Sequence, residues 1–315
     1  MHIIAKLSFM LRTTNSSLEV KISMKLEKND ELEIVKQLTG TIEESRIEII
    51  ESGWTSRVYI IDGGKIVFKF PRNEKFREES KHEVAALKLL KGQEFCLSVP
   101  VLNWTADDNS YFGVYGVLGV PLRDVIDDLS TKQKIDAGTQ IGLFLRQLHR
   151  VKISSNIRTQ TLEEQVFEYQ EWYRKGRVLL AELLSEAELN KIDDFFTNEV
   201  PKCMVGAGNL VFCHGDLDYN NTLIDSENRV GIIDFGDAGA YDRSQDFRGM
   251  DDEILLGAMM KAYGNDEVID KVAARTTSKM IDVLNLIYCI ENNYIDCADS
   301  VENFLRRVRQ ALLTP

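Results

Sequence analysis

Two short stretches of the 315-residue chain hold the residue types that phosphoryl transfer needs. The first is His214-Gly215-Asp216-Leu217-Asp218-Tyr219-Asn220-Asn221. The second, beyond a short hairpin, is Ile232-Ile233-Asp234-Phe235-Gly236. Moving a γ-phosphate requires an acceptor hydroxyl held in line with the phosphorus, and divalent cations to neutralise charge on the phosphate oxygens. One carboxylate must face the hydroxyl. A second must face the metal, and hard Mg²⁺ prefers carboxylate and amide oxygens. Asp216, four residues, then Asn221 can set a carboxylate at the acceptor and an amide carbonyl at the metal. Asp234, seated at the end of the apolar strand Val230–Ile233, can return to the same point. Asp216 is therefore the candidate catalytic residue, and Asn221 and Asp234 are the candidate metal ligands. Either stretch alone is weak, because aspartates in such loops more often cap turns or helices. The joint pattern, with Asp234 13 residues after Asn221, carries the reading.

Upstream, Lys69 interrupts the apolar run Ile66-Val67-Phe68-Lys69-Phe70. A lysine there is costly unless it snorkels to the surface or finds an anionic partner. Nucleotide phosphates and a helix glutamate would be such partners, and Glu83 on the following helical segment is the natural one. Taken alone, the pair also reads as an edge-strand lysine and an ordinary helix glutamate. Gly53-Trp54-Thr55-Ser56 stands where a phosphate-covering loop belongs. Ser56 suits either a phosphate contact or an ordinary turn, and a single glycine does not choose between them.

The elements that must position these residues follow from periodicity. A loosely amphipathic helix covers Leu26–Leu38. Strands are expected at Arg46–Glu51, Val58–Ile61 and Ile66–Phe70, with Asp62-Gly63-Gly64-Lys65 turning the last two, then at Val99–Trp104 and Tyr111–Leu118. A helix at 77–91 divides this sheet. Beyond Pro121 the pattern is helical, at 131–150, 161–176, 186–198, 245–262 and 278–313. It is broken by a β-rich island at Leu210–Cys213, Leu223–Ile224 and Val230–Ile233. The fold class is α+β, a small antiparallel β lobe before a large, mainly helical lobe. Residues 1–23 read as a disordered extension or an overlong start, 24–118 as the N-terminal lobe and 119–315 as the C-terminal lobe.

A formal net charge of −12 excludes the basic footprint of a nucleic-acid binder and suits a cationic ligand without requiring one. Five scattered cysteines without a CxxC pair read as free thiols in a reducing, cytoplasmic compartment, and four separated histidines imply no histidine-rich metal site. No apolar run approaches the roughly 20 residues of a membrane span.

The stretches SRVYIIDGGKIVFKFPR, GVPL at 119–122, FLRQLH at 144–149, HGDLDYNNTLID and GIIDFGDAGAYDRSQDF resemble the aminoglycoside phosphotransferase family. The resemblance extends over about 45–310 and is nearest the 2''-phosphotransferase branch, with macrolide kinases further off. It implies a two-lobed, protein-kinase-like fold with ATP or GTP in the cleft and Mg²⁺ at the phosphates. The hinge would run through Tyr115–Gly119, with Tyr115 and Val117 meeting the purine. Asp216 would match the catalytic aspartate, Asn221 and Asp234 the magnesium ligands, and Lys69 and Glu83 the phosphate clamp. His149 would be structural, and His214 would brace the loop. HGD in place of HRD, and the absence of an APE-like motif, favour a small-molecule acceptor over a protein.

The family binds cationic aminoglycosides through carboxylates of the C-terminal lobe. The matching candidates here are Asp251, Asp252, Glu253 and Glu291, although the first three also read as a helix N-terminal charge cluster. Glu164, Glu168 and Glu171 read as a solvated face. Where 2''-branch relatives carry a tryptophan beside the sugar, Cys297 stands here. The expected partner is a small, cationic hydroxyl acceptor, bound by a monomer or weak dimer with no nucleic acid or membrane. The alternatives are a kinase of choline, homoserine, a fructosamine or a macrolide, and a non-catalytic pseudokinase.

Overall fold

The computed structural model describes residues 27–40, 42–51, 55–203, 210–264, 271–291 and 301–313. The extension expected at 1–23 lies outside them, as do Gly53, Trp54 and Cys297. Helix α1 (Lys28–Thr39) leads into five antiparallel strands: β1 (Ile47–Ile50), β2 (Ser56–Ile61), β3 (Ile66–Pro71), β4 (Val101–Thr105) and β5 (Phe112–Tyr115). Their spatial order is β1-β2-β3-β5-β4. The turn between β2 and β3 takes positive φ at Asp62, Gly63 and Gly64 (52°, 64° and 102°), which glycine adopts without steric cost and aspartate tolerates.

Alternation along β3 decides what faces the site. Phe68 and Phe70 are buried with Tyr59 and Ile61 against Val35 of α1. Val67 and Lys69 point the other way, Val67 into the main core and Lys69 toward α2 (Glu74–Leu90). Helix α2 begins before the expected residue 77 because Asn73 caps it, accepting the Phe76 amide at 3.0 Å.

Past the sheet, β6 (Val120–Pro121) crosses into the second lobe. There α3 (Thr131–Leu148), α4 (Leu162–Leu180), α5 (Glu186–Asp194) and the short α6 (Val200–Cys203) follow in order. Ser130, Thr161 and Ser185 start α3, α4 and α5, each in a capping box with Gln133, Glu164 or Glu188. The β-rich island holds β7 (Val211–Cys213), β8 (Thr222–Ile224) and β9 (Val230–Ile232), then β10 (Gly239–Tyr241), which sequence patterning did not predict. Strand β8 lies between β6 and β9, and β10 pairs with β7.

Two of the expected helices are each divided. Residues 245–262 form a 3₁₀ turn, Arg243–Phe247, and then α7 (Glu253–Tyr263), whose N-cap is Asp252. Residues 278–313 form α8 (Lys271–Glu291) and α9 (Val301–Val308) with a terminal turn at Arg309–Leu313; residues 292–300 lie outside the described set. Helix α7 approaches α3 so closely that a Cβ at Gly138 or Gly142 would strike the carbonyl oxygen of Leu255 or Met259. Helices α4 and α8 share a second core that includes Tyr173, Leu284 and Ile287. No helix of the described residues is long and apolar enough to cross a membrane.

Candidate active site

The antiparallel register of β8 and β9 sets Thr222 opposite Ile232, and the Ile233 amide donates to the Asn221 carbonyl oxygen at 2.9 Å. That pairing brings the end of the HGD loop beside Asp234. The Asn221 side-chain amide donates to the Asp216 carbonyl oxygen (2.8 Å) and to Asp216 Oδ2 (3.2 Å). Its nitrogen is thereby turned toward Asp216, and Oδ1 is the end left for a cation. Asp234 is held at φ 64°, an uncommon conformation for a residue other than glycine. Its Oδ1 accepts from Lys69 Nζ at 3.1 Å and from the Gly236 amide at 3.4 Å. An amide oxygen and a carboxylate on adjacent strand ends are the donor set a hard divalent cation prefers, so these residues fit Mg²⁺.

Lys69 also donates to Glu83 Oε1 (2.8 Å) and Oε2 (3.0 Å), so strand β3, helix α2 and the island meet at one ammonium. Burial opposes the charge on Lys69, but the carboxylates of Asp234 and Glu83 outweigh it and hold its pKa above the ordinary lysine value. Ser56 is buried at the start of β2 and lines a small recess with Glu83 and Gly236. Tyr115 ends β5 half-exposed and turns its ring against Trp104, at 5.3 Å between centroids. Val117 is buried against the lobe junction.

The loop bearing Asp216 is braced from behind. His214 Nε2 donates to the Ile233 carbonyl oxygen (2.9 Å), and its Nδ1 receives the Asp216 amide (3.3 Å). Gly215 takes φ 85°, where a Cβ would collide with the Asp237 carbonyl oxygen. Sequence patterning passed over the residue that anchors this loop, Asp246. Fully buried, it accepts the amides of His214 (2.9 Å) and Gly215 (2.8 Å). His149 Nε2 lies 3.1 Å from the same carboxylate, and His149 Nδ1 lies 2.9 Å from the Tyr263 hydroxyl. Burial alone would raise the Asp246 pKa, but the bond from His149 and the nearby imidazoles bring it below the ordinary carboxylate value. Arg248 adds a bond to the Gly215 carbonyl oxygen at 2.8 Å. Only the run SQDF hinted at this role.

Beside Asp216 opens a cavity of about 640 Å³, walled by the loop on one side and by α8 and α9 on the other. Of the four carboxylates expected to meet an acceptor, Asp251 lines it, accepting from the Tyr219 hydroxyl at 2.9 Å. The other three do not line it. Asp252 caps α7 and pairs with Lys134 at 2.7 Å, and Glu253 pairs with Arg275 at 2.8 Å. Glu291 is exposed at the end of α8. Glu164, Glu168 and Glu171 are engaged locally, by the Thr161 cap, Gln160 and Arg174.

A model of the phosphotransferase enzyme family matches residues 46–267. Among solved structures, the GDP and kanamycin complex of APH(2")-IIia superposes with a TM-score of 0.75 at 19% identity, covering 90% of this chain and 98% of that one. The gentamicin complex of APH(2")-IIa gives 0.70 at 19% identity over 93% and 97%. Macrolide 2'-phosphotransferase MphH from Brachybacterium faecium gives 0.63 at 17% identity over 91% and 99%. These likenesses establish a kinase-like fold of two lobes.

Proposed function

Because the chain belongs to the phosphotransferase enzyme family, we propose that it moves the γ-phosphate of ATP or GTP onto a hydroxyl of a small molecule, using Asp216, Asn221, Asp234, Lys69 and Glu83. The observation that carries this reading is the single ammonium of Lys69, shared between Glu83 of the first lobe and Asp234 of the second, with Asp216 and Asn221 in mutual contact beside it.

Asp216 orients the acceptor hydroxyl and takes its proton late in the transfer. The Asn221 amide bonds its carboxylate and the His214 ring its backbone amide before substrate arrives, which supports the preorganisation that electrostatic catalysis needs. Lys69, charged across the physiological range, anchors the α- and β-phosphates, and Glu83 keeps its side chain extended from the strand. Ser56 is placed to contact a phosphate oxygen, and the backbone at Tyr115 and Val117 meets the purine. Asn221 and Asp234 would hold Mg²⁺, which supplies neutralisation of the phosphate charge. Retention of Lys69, Asp216 and Asp234 favours catalysis over a pseudokinase role.

The kanamycin and gentamicin complexes make aminoglycosides the first acceptor class to assay. A second reading, a kinase of another hydroxylated metabolite, is favoured by the cavity: it presents one of the four expected carboxylates and several cations. The test is nucleotide consumption by the purified protein with Mg²⁺, run with ATP and with GTP against aminoglycosides, macrolides, choline, homoserine and fructosamines. Acceptor-dependent turnover that disappears in Asp216→Asn supports the proposal. Nucleotide consumption indifferent to Asp216 would remove it.

A further inference from the structure

The chain carries a net charge of −12, yet the cavity beside Asp216 gathers positive charge on the wall that faces the loop. Lys279 of α8 and Arg306 and Arg307 of α9 line that wall, and Arg123 lines the side near Asn220. Arg275 of α8 and Arg309 of the terminal turn are matched, by Glu253 at 2.8 Å and by Glu188 at 3.0 Å. Arg307 lies 3.7 Å from Asp282 and over the Phe304 ring. Lys279 and Arg306 have neither an ion pair nor a hydrogen bond among the described residues. Against these cations, the wall outside the catalytic loop offers Asp251 and Asp282. Burial, only partly offset by Arg307, pushes the Asp282 carboxyl up to about 6.

Among the described lining residues the carboxylates lie at Asp216 and Asp218 of the loop and at Asp251 and Asp282, while Lys279 and Arg306 stand unmatched on the α8–α9 wall, where a like charge is disfavoured and an anion is favoured. Resting on the phosphotransferase reading, we propose that the acceptor carries an oxyanion, a carboxylate or a phosphate, in addition to the hydroxyl that receives the phosphoryl group. Lys279 and Arg306 bind that oxyanion while Asp216 faces the hydroxyl. Charge-assisted bonds from an ammonium and a guanidinium suit either oxyanion, and the guanidinium can engage it in bidentate fashion. The cavity volume falls within the range of small-molecule sites. Asp251, on the α7 side, leaves room for an amine on the same acceptor, so a hydroxylated amino acid belongs to the class.

The proposal is tested by calorimetric titration of the full-length protein, saturated with Mg²⁺ and a non-hydrolysable ATP or GTP analogue so that the phosphate subsites are filled. The probes are gluconate, glucose 6-phosphate, glucose and kanamycin. At least one of the two anions should bind about tenfold or more tightly than glucose and kanamycin, and which anion does so tells carboxylate from phosphate. In the double variant Lys279→Gln/Arg306→Gln that preference should vanish, while nucleotide affinity and the unfolding temperature stay at wild-type values. Kanamycin binding more tightly than both anions, neither anion exceeding glucose, or an anion preference untouched in the double variant would each overturn it. Failure of the phosphotransferase reading shows separately, as no binding of the Mg²⁺–nucleotide in the loading step.

Discussion

Asp216 and Asp234 bring the same side chain into different surroundings, and the surroundings assign the work. Asp234 sits at positive φ with the Lys69 ammonium at 3.1 Å, and in the proposed function it is the phosphate- and metal-facing carboxylate. Asp216 is buried beside the Asn221 amide and opens onto the acceptor cavity. Asp216→Asn keeps the shape and removes the proposed proton acceptor. We expect turnover in the acceptor assay to fall by about 10²–10⁴-fold, measured as kcat under saturating nucleotide. Asp282 gives a second prediction at this scale. Burial, only partly offset by Arg307, holds its folded-state pKa at about 6, above the ordinary 3.8. Between those values the native state binds the proton more readily than the unfolded chain. Asp282 therefore contributes a loss of stability as pH rises through this window. Urea unfolding of wild type and Asp282→Asn between about pH 4 and pH 7 should show the variant gaining on wild type as pH rises. A constant difference would refute the assignment.

The elements show what a linear pattern can and cannot carry. The sheet strands, the Asp62–Gly64 turn and the HGDxxxxN and DFG stretches were legible because their signals are local: alternation, turn glycines and fixed spacing. Asp246 was not, because its partners His149, His214 and Gly215 stand 97, 32 and 31 positions away, and a lone aspartate before phenylalanine looks like any turn residue. The same non-local demand breaks the helix expected over 245–262. The chain must turn to deliver Asp246 to the loop, so the helix restarts at the Asp252 cap. Strand β10, Gly239-Ala240-Tyr241, has no β-branched residue to mark it, unlike the equally short β7, β8 and β9. Asp246→Ala would leave two buried amides and an imidazole without their acceptor. It should cost on the order of 3–5 kcal/mol in denaturant unfolding and lower turnover without touching either ligand. Because the Asp246 pKa lies below its unfolded value, this contribution is fully present above about pH 4 and is lost as pH falls through the depressed value.

At the scale of the molecule, the site exists only where the two lobes meet. Lys69 comes from the sheet, Glu83 from α2, and Asp216, Asn221 and Asp234 from the island between helices. The order of elements along the chain predicted the two lobes, but not the charge of the cavity wall beside Asp216. That wall is assembled from α8, α9 and Arg123, which are far apart in the chain and individually look like ordinary surface cations. The central claim is a division of labour around one nucleotide, and it can be tested without knowing the acceptor. Nucleotide affinity should be titrated, with Mg²⁺ present, for wild type, Asp234→Asn and Asp216→Asn. The account predicts that Asp234→Asn weakens binding by about tenfold or more while Asp216→Asn stays within about threefold of wild type. Equal loss in both variants, or no loss in Asp234→Asn, would contradict it.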